Sequence, residues 1–141
     1  MAQADAKLQM LKAVSLFASM RGKDLEAVER LADTLDMPAG KMLMKQGDHG
    51  SEMYVIASGS VRVERNGKEI ATLGPGHPVG EMALLSEGAR LATVTTLEPT
   101  TAFVIGHREF HTLLADSAEL RQCIFDNLAK RIRELDDQGT L

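Results

Sequence analysis

Cysteine is almost missing from this chain. The one present, Cys123, cannot form an internal disulfide, and such usage suits a reducing compartment, the cytoplasm. It stands beside Ile124 and Phe125 in a helical pattern, where a thiol serves as a small packing group. No window approaches the roughly 20 apolar residues of a membrane span, so no membrane insertion is expected. The first residues, Met1 to Asp5, carry neither a basic cluster nor an apolar stretch, and no signal peptide is expected. An excess of positive charge is also lacking. Sixteen Lys and Arg face 20 Asp and Glu, a net charge of −4, which argues against direct nucleic-acid binding. Any small anion must then be held by local geometry rather than by a general field. Ser58 and Ser86 lack a neighbouring histidine that would activate them, and no other nucleophile–base pair stands out, so an enzyme is not expected. Repeats, linkers and low-complexity tracts are absent too. What remains is 141 residues, 44% of them hydrophobic, enough for one domain with one core.

Three segments follow from the periodicity. Residues 1–36 read as N-terminal helices. Leu8, Leu11, Val14 and Leu16-Phe17 form the stripe of a short first helix; Asp24 is placed to cap a second with Leu25, Val28, Leu31, Ala32 and Leu35 on one face, ended by Met37-Pro38. Residues 37–106 change to a period of two. Strands are predicted at Lys41–Lys45, Met53–Ser58, Ser60–Arg65, Lys68–Leu73, Leu91–Thr96 and Thr100–Ile105. Asn66-Gly67 is the preferred two-residue hairpin turn, and Ser58-Gly59 a tight corner. Residues 107–138 return to helix, first at Arg108–Ala115, then from Asp116 as a cap with Glu119 three residues on, along the stripe Leu120, Ile124, Leu128, Ile132 and Leu135, to a stop at Gly139. Short strands with glycine corners indicate a sandwich or barrel.

The chain is organised around residues 79–94, VGEMALLSEGARLATV. Glycine lets backbone approach a ligand closely, and the N–H groups of a helix start attract an anion. Arg90 returns across the loop with a planar, permanently charged fork that matches two phosphate oxygens. Glu81 cannot meet phosphate, because like charges repel; it suits the hydroxyls of a sugar. This stretch resembles the phosphate-binding cassette of the cyclic nucleotide-binding domain family, Gly-Glu-x-Ala-Leu, a short loop, then Arg-x-Ala-Thr-Val. Gly80, Glu81, Ala83, Leu84, Arg90, Ala92, Thr93 and Val94 match it.

The resemblance implies a mainly β fold with flanking helices: an antiparallel β-roll, or jelly roll, with N-terminal helices, a short cassette helix and two C-terminal helices. It further implies that Glu81 accepts from the ribose 2′-hydroxyl and Arg90 pairs with the exocyclic phosphate oxygens, with the backbone N–H groups of Ala83 and Leu91 completing the cradle. Gly80, Met82 and Ala92 are the other expected ligand neighbours. Members that bind cyclic GMP usually carry a hydroxyl where this chain has Leu91, which tilts the expected ligand to cyclic AMP over cyclic GMP. An aromatic lid is doubtful, since there is no Trp and the one Tyr, Tyr54, lies in the early strands. Arg131 falls where some ion-channel members lean an arginine over the base; a solvated helix charge is the plain alternative.

Other candidates are weaker. His107 and His111 stand four apart, a spacing that can hold zinc, but HREFH is not HExxH and no third ligand is near, so no metal is expected. His77 is placed at the pocket rim and His49 in a turn. Met42, Met44 and Met53 read as core. A cupin-type metalloenzyme on the same roll would need a His-x-His constellation, which is missing. The expectation is therefore a cyclic nucleotide sensor whose last helix, Ser117–Asp137, relays occupancy to an effector in cis or in trans, or to a second copy through the Leu120–Leu135 stripe. The alternative is a degenerate domain that has kept the fold as an interaction module.

Overall fold

The structure, a computed structural model, describes residues 2–137. Gly139 lies outside the described residues. Helix α1 (Ala2–Lys12), a 3₁₀ turn at Ser15–Phe17 and α2 (Gly22–Leu31) lead into ten strands: β1 (Asp33–Met37), β2 (Met42–Met44), β3 (His49–Gly50), β4 (Glu52–Ser58), β5 (Val61–Arg65), β6 (Lys68–Leu73), β7 (Pro78–Val79), β8 (Gly88–Ala89), β9 (Thr93–Thr96) and β10 (Thr100–Gly106). A one-turn 3₁₀ helix, Glu81–Leu84, interrupts them after β7, and α3 (His107–Ala115) and α4 (Ala118–Asp137) close the described chain.

All strand pairs are antiparallel. One sheet runs β1-β10-β4-β7, the second β2-β9-β5-β6, and β3 pairs with β8 alone. This is the expected β-roll with flanking helices. Strand β4 explains how the roll and the helices are joined. Its apolar run alternates between two cores: Tyr54 and Ile56 face the second sheet with Val61, Val63, Val79 and Val94, whereas Met53 and Val55 face the helices with Leu11, Phe17, Val28, Phe110, Leu120 and Ile124. A strand buried on both faces reads as a continuous hydrophobic run. The β5–β6 hairpin turns at Asn66 (φ 54°) and Gly67 (φ 79°), two consecutive left-handed residues of the kind that match strand twist.

Four local expectations are corrected. The second helix stops at Leu31, and Asp33–Met37 is β1 on the edge of the first sheet, paired in full register with β10 from Asp33↔Val104 to Met37↔Thr100. Leu35 continued the helical spacing, but it is exposed there. Backbone pairing with β10 outweighs a side-chain period carried by two aspartates and a threonine, poor helix formers. Asp24 does not cap α2. Arg21 occupies the cap position without a side-chain bond, and Asp24 sits in the first turn, where a carboxylate meets the positive end of the helix. Asp116 closes α3 instead of opening α4; the cap is Ser117, whose Oγ accepts from Leu120 N–H at 3.1 Å. Met42, expected in the core, is 49% exposed while Met44 is buried, because the β2–β9 register shifts between them and breaks the alternation.

Apolar burial anchors the first half of helix α4. Leu120 and Ile124 are buried, and Asn127 donates from Nδ2 to Leu16 O at 2.8 Å while its Oδ1 accepts from Ser19 Oγ at 2.9 Å. The Leu120–Leu135 stripe is therefore divided: Leu120, Ile124 and, in part, Leu128 pack into this chain's own core, and Ile132 and Leu135 are exposed together with Phe125. None of the described helices is long and apolar enough to cross a membrane.

Candidate functional site

Strand β7 delivers the chain to Gly80, which adopts φ 73°, ψ 24°, the left-handed conformation that starts the 3₁₀ helix. A Cβ at this position would lie 2.6 Å from Arg90 Nη1 and 3.0 Å from Glu52 O, so the site needs glycine on two counts. Leu84 plugs the far end of the helix into the helical core, and Ala83 is buried above it. The chain returns through β8 to Arg90, whose backbone is fixed on both sides. Its N–H donates to Asp48 O at 2.7 Å, and its carbonyl accepts from Gly47 N–H at 2.9 Å. Thr93 Oγ1 accepts from Gln46 N–H at 2.9 Å and holds the start of β9 to the same loop.

With its backbone so held, the Arg90 side chain lies across Gly50 and Gly80, and a side chain at Gly50 would overlap its guanidinium. No carboxylate pairs with Arg90 among the described residues. Glu81, its side chain 13% exposed, receives Arg131 Nη1 at 2.9 Å on Oε1, while Oε2 is buried and has no hydrogen-bond partner among the described residues. A buried acceptor without a donor calls for an explanation. Beside both groups lies a cavity of about 440 Å³, walled by Met44, Val63, Leu73, Val79, Ala92 and Val94. An apolar hollow of this size with a few convergent polar groups is the usual form of a small-molecule site. The unpaired cation is suited to an anion, the orphaned carboxylate oxygen to a hydroxyl donor, and the apolar wall to a ring. Burial raises the Tyr54 phenol above its usual range; Glu52 adds to this and Arg90 opposes it.

The cavity brings together Gly80, Glu81, Met82, Ala83, Arg90, Leu91 and Ala92. Met82 and Leu91 stand at its mouth, 56% and 68% exposed. The Ala83 N–H, expected in the cradle, donates to Gly80 O at 3.0 Å and closes the 3₁₀ turn; the Leu91 N–H has no acceptor among the described residues. Arg131 reaches from α4 to Glu81 and does not line the cavity. Nor does His77, an exposed residue whose Nδ1 faces Gly74 O at 3.2 Å. His49 is in β3 and not in a turn, with Nε2 2.8 Å from Glu87 Oε2. That hydrogen bond holds the exposed Glu87 carboxyl below its usual range; desolvation opposes it, and the nearby charges of His107, His49 and Arg108 add to it. His107 and His111 each turn a ring nitrogen to a backbone carbonyl, and no group of three metal-ligating side chains occurs among the described residues.

Two contributors were not singled out from the sequence. Arg65 lines the cavity and donates from Nε to Leu91 O at 3.1 Å. The alternation Val61, Val63, Arg65 was its signal, because the third position of that face must point the same way. Gly50 was read only as part of a loop; its role becomes visible once β3 and β8 set it under Arg90.

Comparison with known proteins bears on the fold and the family. A "Cyclic AMP receptor protein" of Thermus thermophilus is 38% identical over 104 residues, 70% of this chain and 48% of that protein. The solved N-terminal domain of a transcriptional regulator from Streptomyces coelicolor superposes with a TM-score of 0.85 at 26% identity, covering 94% of this chain and 96% of that one. The regulatory domain of Toxoplasma gondii PKA, solved with cAMP, gives 0.75 at 29% identity, covering 96% and 54%. The chain spans less than half the length of the first curated relatives it matches. Residues 34–117 match the profile of the cyclic nucleotide-binding domain, and on that match, with the cassette geometry beneath it, the chain belongs to the cyclic nucleotide-binding domain family.

Proposed function

We propose that the chain is a cyclic nucleotide sensor that favours cyclic AMP and relays occupancy through α4. The observation that carries the reading is the pairing, in one cavity, of an arginine and a buried carboxylate oxygen that have, among the described residues, no counter-ion and no donor respectively. A cyclic nucleotide supplies both missing partners from one molecule. Arg90 takes the exocyclic phosphate oxygens, Glu81 Oε2 accepts from the ribose 2′-hydroxyl, and the Leu91 N–H, with that of Ala83 on rotation out of its turn, completes the cradle. The purine lies toward the apolar wall. Leu91 offers the base no hydroxyl, which favours adenine over guanine. The names of the Thermus and Toxoplasma relatives support cyclic AMP.

On this reading the chain binds and does not catalyse, and it acts in the cytoplasm on an effector domain or protein. Occupancy alters α4 through Glu81, which α4 grips through Arg131, so nucleotide and helix share one carboxylate. A second copy is a candidate effector through the exposed Phe125, Ile132 and Leu135. Calorimetric titration with cyclic AMP and cyclic GMP tests the reading. Arg90→Ala should cost about 2–5 kcal/mol, a loss of 30-fold or more, because it leaves phosphate charge unpaired. Tight binding unchanged in the variant would place the ligand elsewhere, and no binding of either nucleotide by the folded parent would favour a degenerate interaction module.

A further inference from the structure

The ligand face of the cassette accounts for Glu81 and Arg90 but not for what holds the 3₁₀ helix from behind. This helix is four residues long, and the carbonyls at its end have no intrahelical donor. Two imidazoles supply the bonds. His107 Nδ1 lies 2.7 Å from Ala83 O, and His111 Nε2 lies 2.7 Å from Leu84 O. A carbonyl only accepts, so each of these ring nitrogens carries its proton, and the two histidines use opposite nitrogens. The rings lie against each other with centroids 4.1 Å apart, so neither turns without the other. The His107 backbone is fixed as well, its N–H donating to Ser51 O at 2.7 Å. On its outer side, Nε2 faces Glu87 Oε1 at 3.7 Å, and Glu87 belongs to the cassette loop. Neither histidine lines the ligand cavity.

We propose that His107 and His111 are positioning residues for nucleotide binding: a two-point clamp by which α3 sets the two peptide planes that flank Leu84. The proposal rests on the cyclic nucleotide reading for its ligand. With the Ala83 and Leu84 carbonyls held, the end of the 3₁₀ turn stays fixed as a support while the preceding Met82–Ala83 plane, which carries the Ala83 N–H, turns from Gly80 O toward phosphate. The clamp also gives the C-terminal helices a directional hold on the cassette, in addition to the apolar contact through Leu84. Hydrogen bonds lock an orientation that apolar packing leaves free to slide.

The test uses the reach of the side-chain amides. The amide nitrogen of Asn stands near where an imidazole Nδ1 stands, and that of Gln near Nε2. His107→Ala and His111→Ala should each weaken cyclic AMP binding about five- to tenfold by calorimetry, the worth of a hydrogen bond made only when the cassette is in place. His107→Asn and His111→Gln should stay within about twofold of the parent. In the unliganded chain, amide exchange at Leu85 and Ser86, both bonded to Met82 O, should quicken in the alanine variants and not in the amide variants. If an alanine variant does not fold, the mismatched His107→Gln and His111→Asn replace it and should behave as it would have. Alanine variants that bind as the parent does would overturn the proposal. So would Asn and Gln variants as weak as alanine, since stacking would then matter and the bonds would not. Should the parent bind neither nucleotide, the functional reading fails, and exchange alone decides the clamp: unchanged Leu85 and Ser86 amides in the alanine variants would refute it.

Discussion

Glu81 combines two properties that pull against each other in the unliganded chain. One carboxylate oxygen is neutralised by Arg131, which is half-exposed, and an exposed pair contributes roughly 0–1 kcal/mol. The other is buried without a donor, a cost of about 1–3 kcal/mol. Glu81→Gln keeps the shape and removes the charge, which lowers the cost of burying an oxygen without a donor. The thermal midpoint of the unliganded variant should therefore hold or rise, while cyclic AMP affinity falls at least about tenfold, because a neutral amide oxygen accepts a hydroxyl more weakly than a carboxylate does. Calorimetry and melting on one sample decide it. A variant both less stable and unaltered in affinity would mean that the carboxylate serves the fold and not the ligand. This opposition of stability and binding is what a preformed polar site leads one to expect.

At the scale of elements, legibility followed the strength of local signals. The predicted strand Lys68–Leu73 is β6 residue for residue, because Asn66-Gly67 sets its start and its partner's alternation sets its register. The cassette was read from its motif, and Glu81 and Arg90 do meet in one cavity. Strand β1 was read as helix because Leu31 and Leu35 keep a four-residue spacing; only the distant β10, some seventy residues on, shows what that backbone pairs with. The two-residue strands β3 and β8 are too short to carry any period, yet they put Gly50 beneath Arg90. Long-range polar anchors were equally hidden. Asn127 looks like a solvated helix residue until Leu16 and Ser19 are beside it, more than a hundred positions away. Its bonds fix the middle of α4, beyond which every described residue from Lys130 on is exposed. Asn127→Ala should cost about 1–2 kcal/mol and lower the melting midpoint by roughly 3–8 °C. Amide exchange should quicken in α4 well before it does in α3. A variant that melts with the parent would show that Leu120 and Ile124 alone seat the helix.

Across the whole molecule, the two cores are not separable, because β4 and β10 contribute alternate side chains to each: Tyr54, Ile56 and Ala102 on the roll side, Met53, Val55, Phe103 and Ile105 on the helix side. A strand cannot leave one core and remain in the other. The cavity between Glu81 and Arg90 is walled by the roll core, through Met44, Val63, Val79 and Val94, whereas Leu84 ties the cassette to the helical core. Ligand binding should then stabilise roll and helices as one unit. At a nucleotide concentration of a hundred times Kd the gain is about 2.7 kcal/mol, which for a domain of this size raises the midpoint by on the order of 8–10 °C. Scanning calorimetry is the suitable probe, since the chain has no tryptophan to report by fluorescence. It should show a single transition, moved as a whole by cyclic AMP and unmoved in Arg90→Ala. Two transitions, with only the roll's shifted by nucleotide, would mean that β4 and β10 do not join the cores cooperatively. The helices would then have to sense occupancy through the Arg131–Glu81 contact alone.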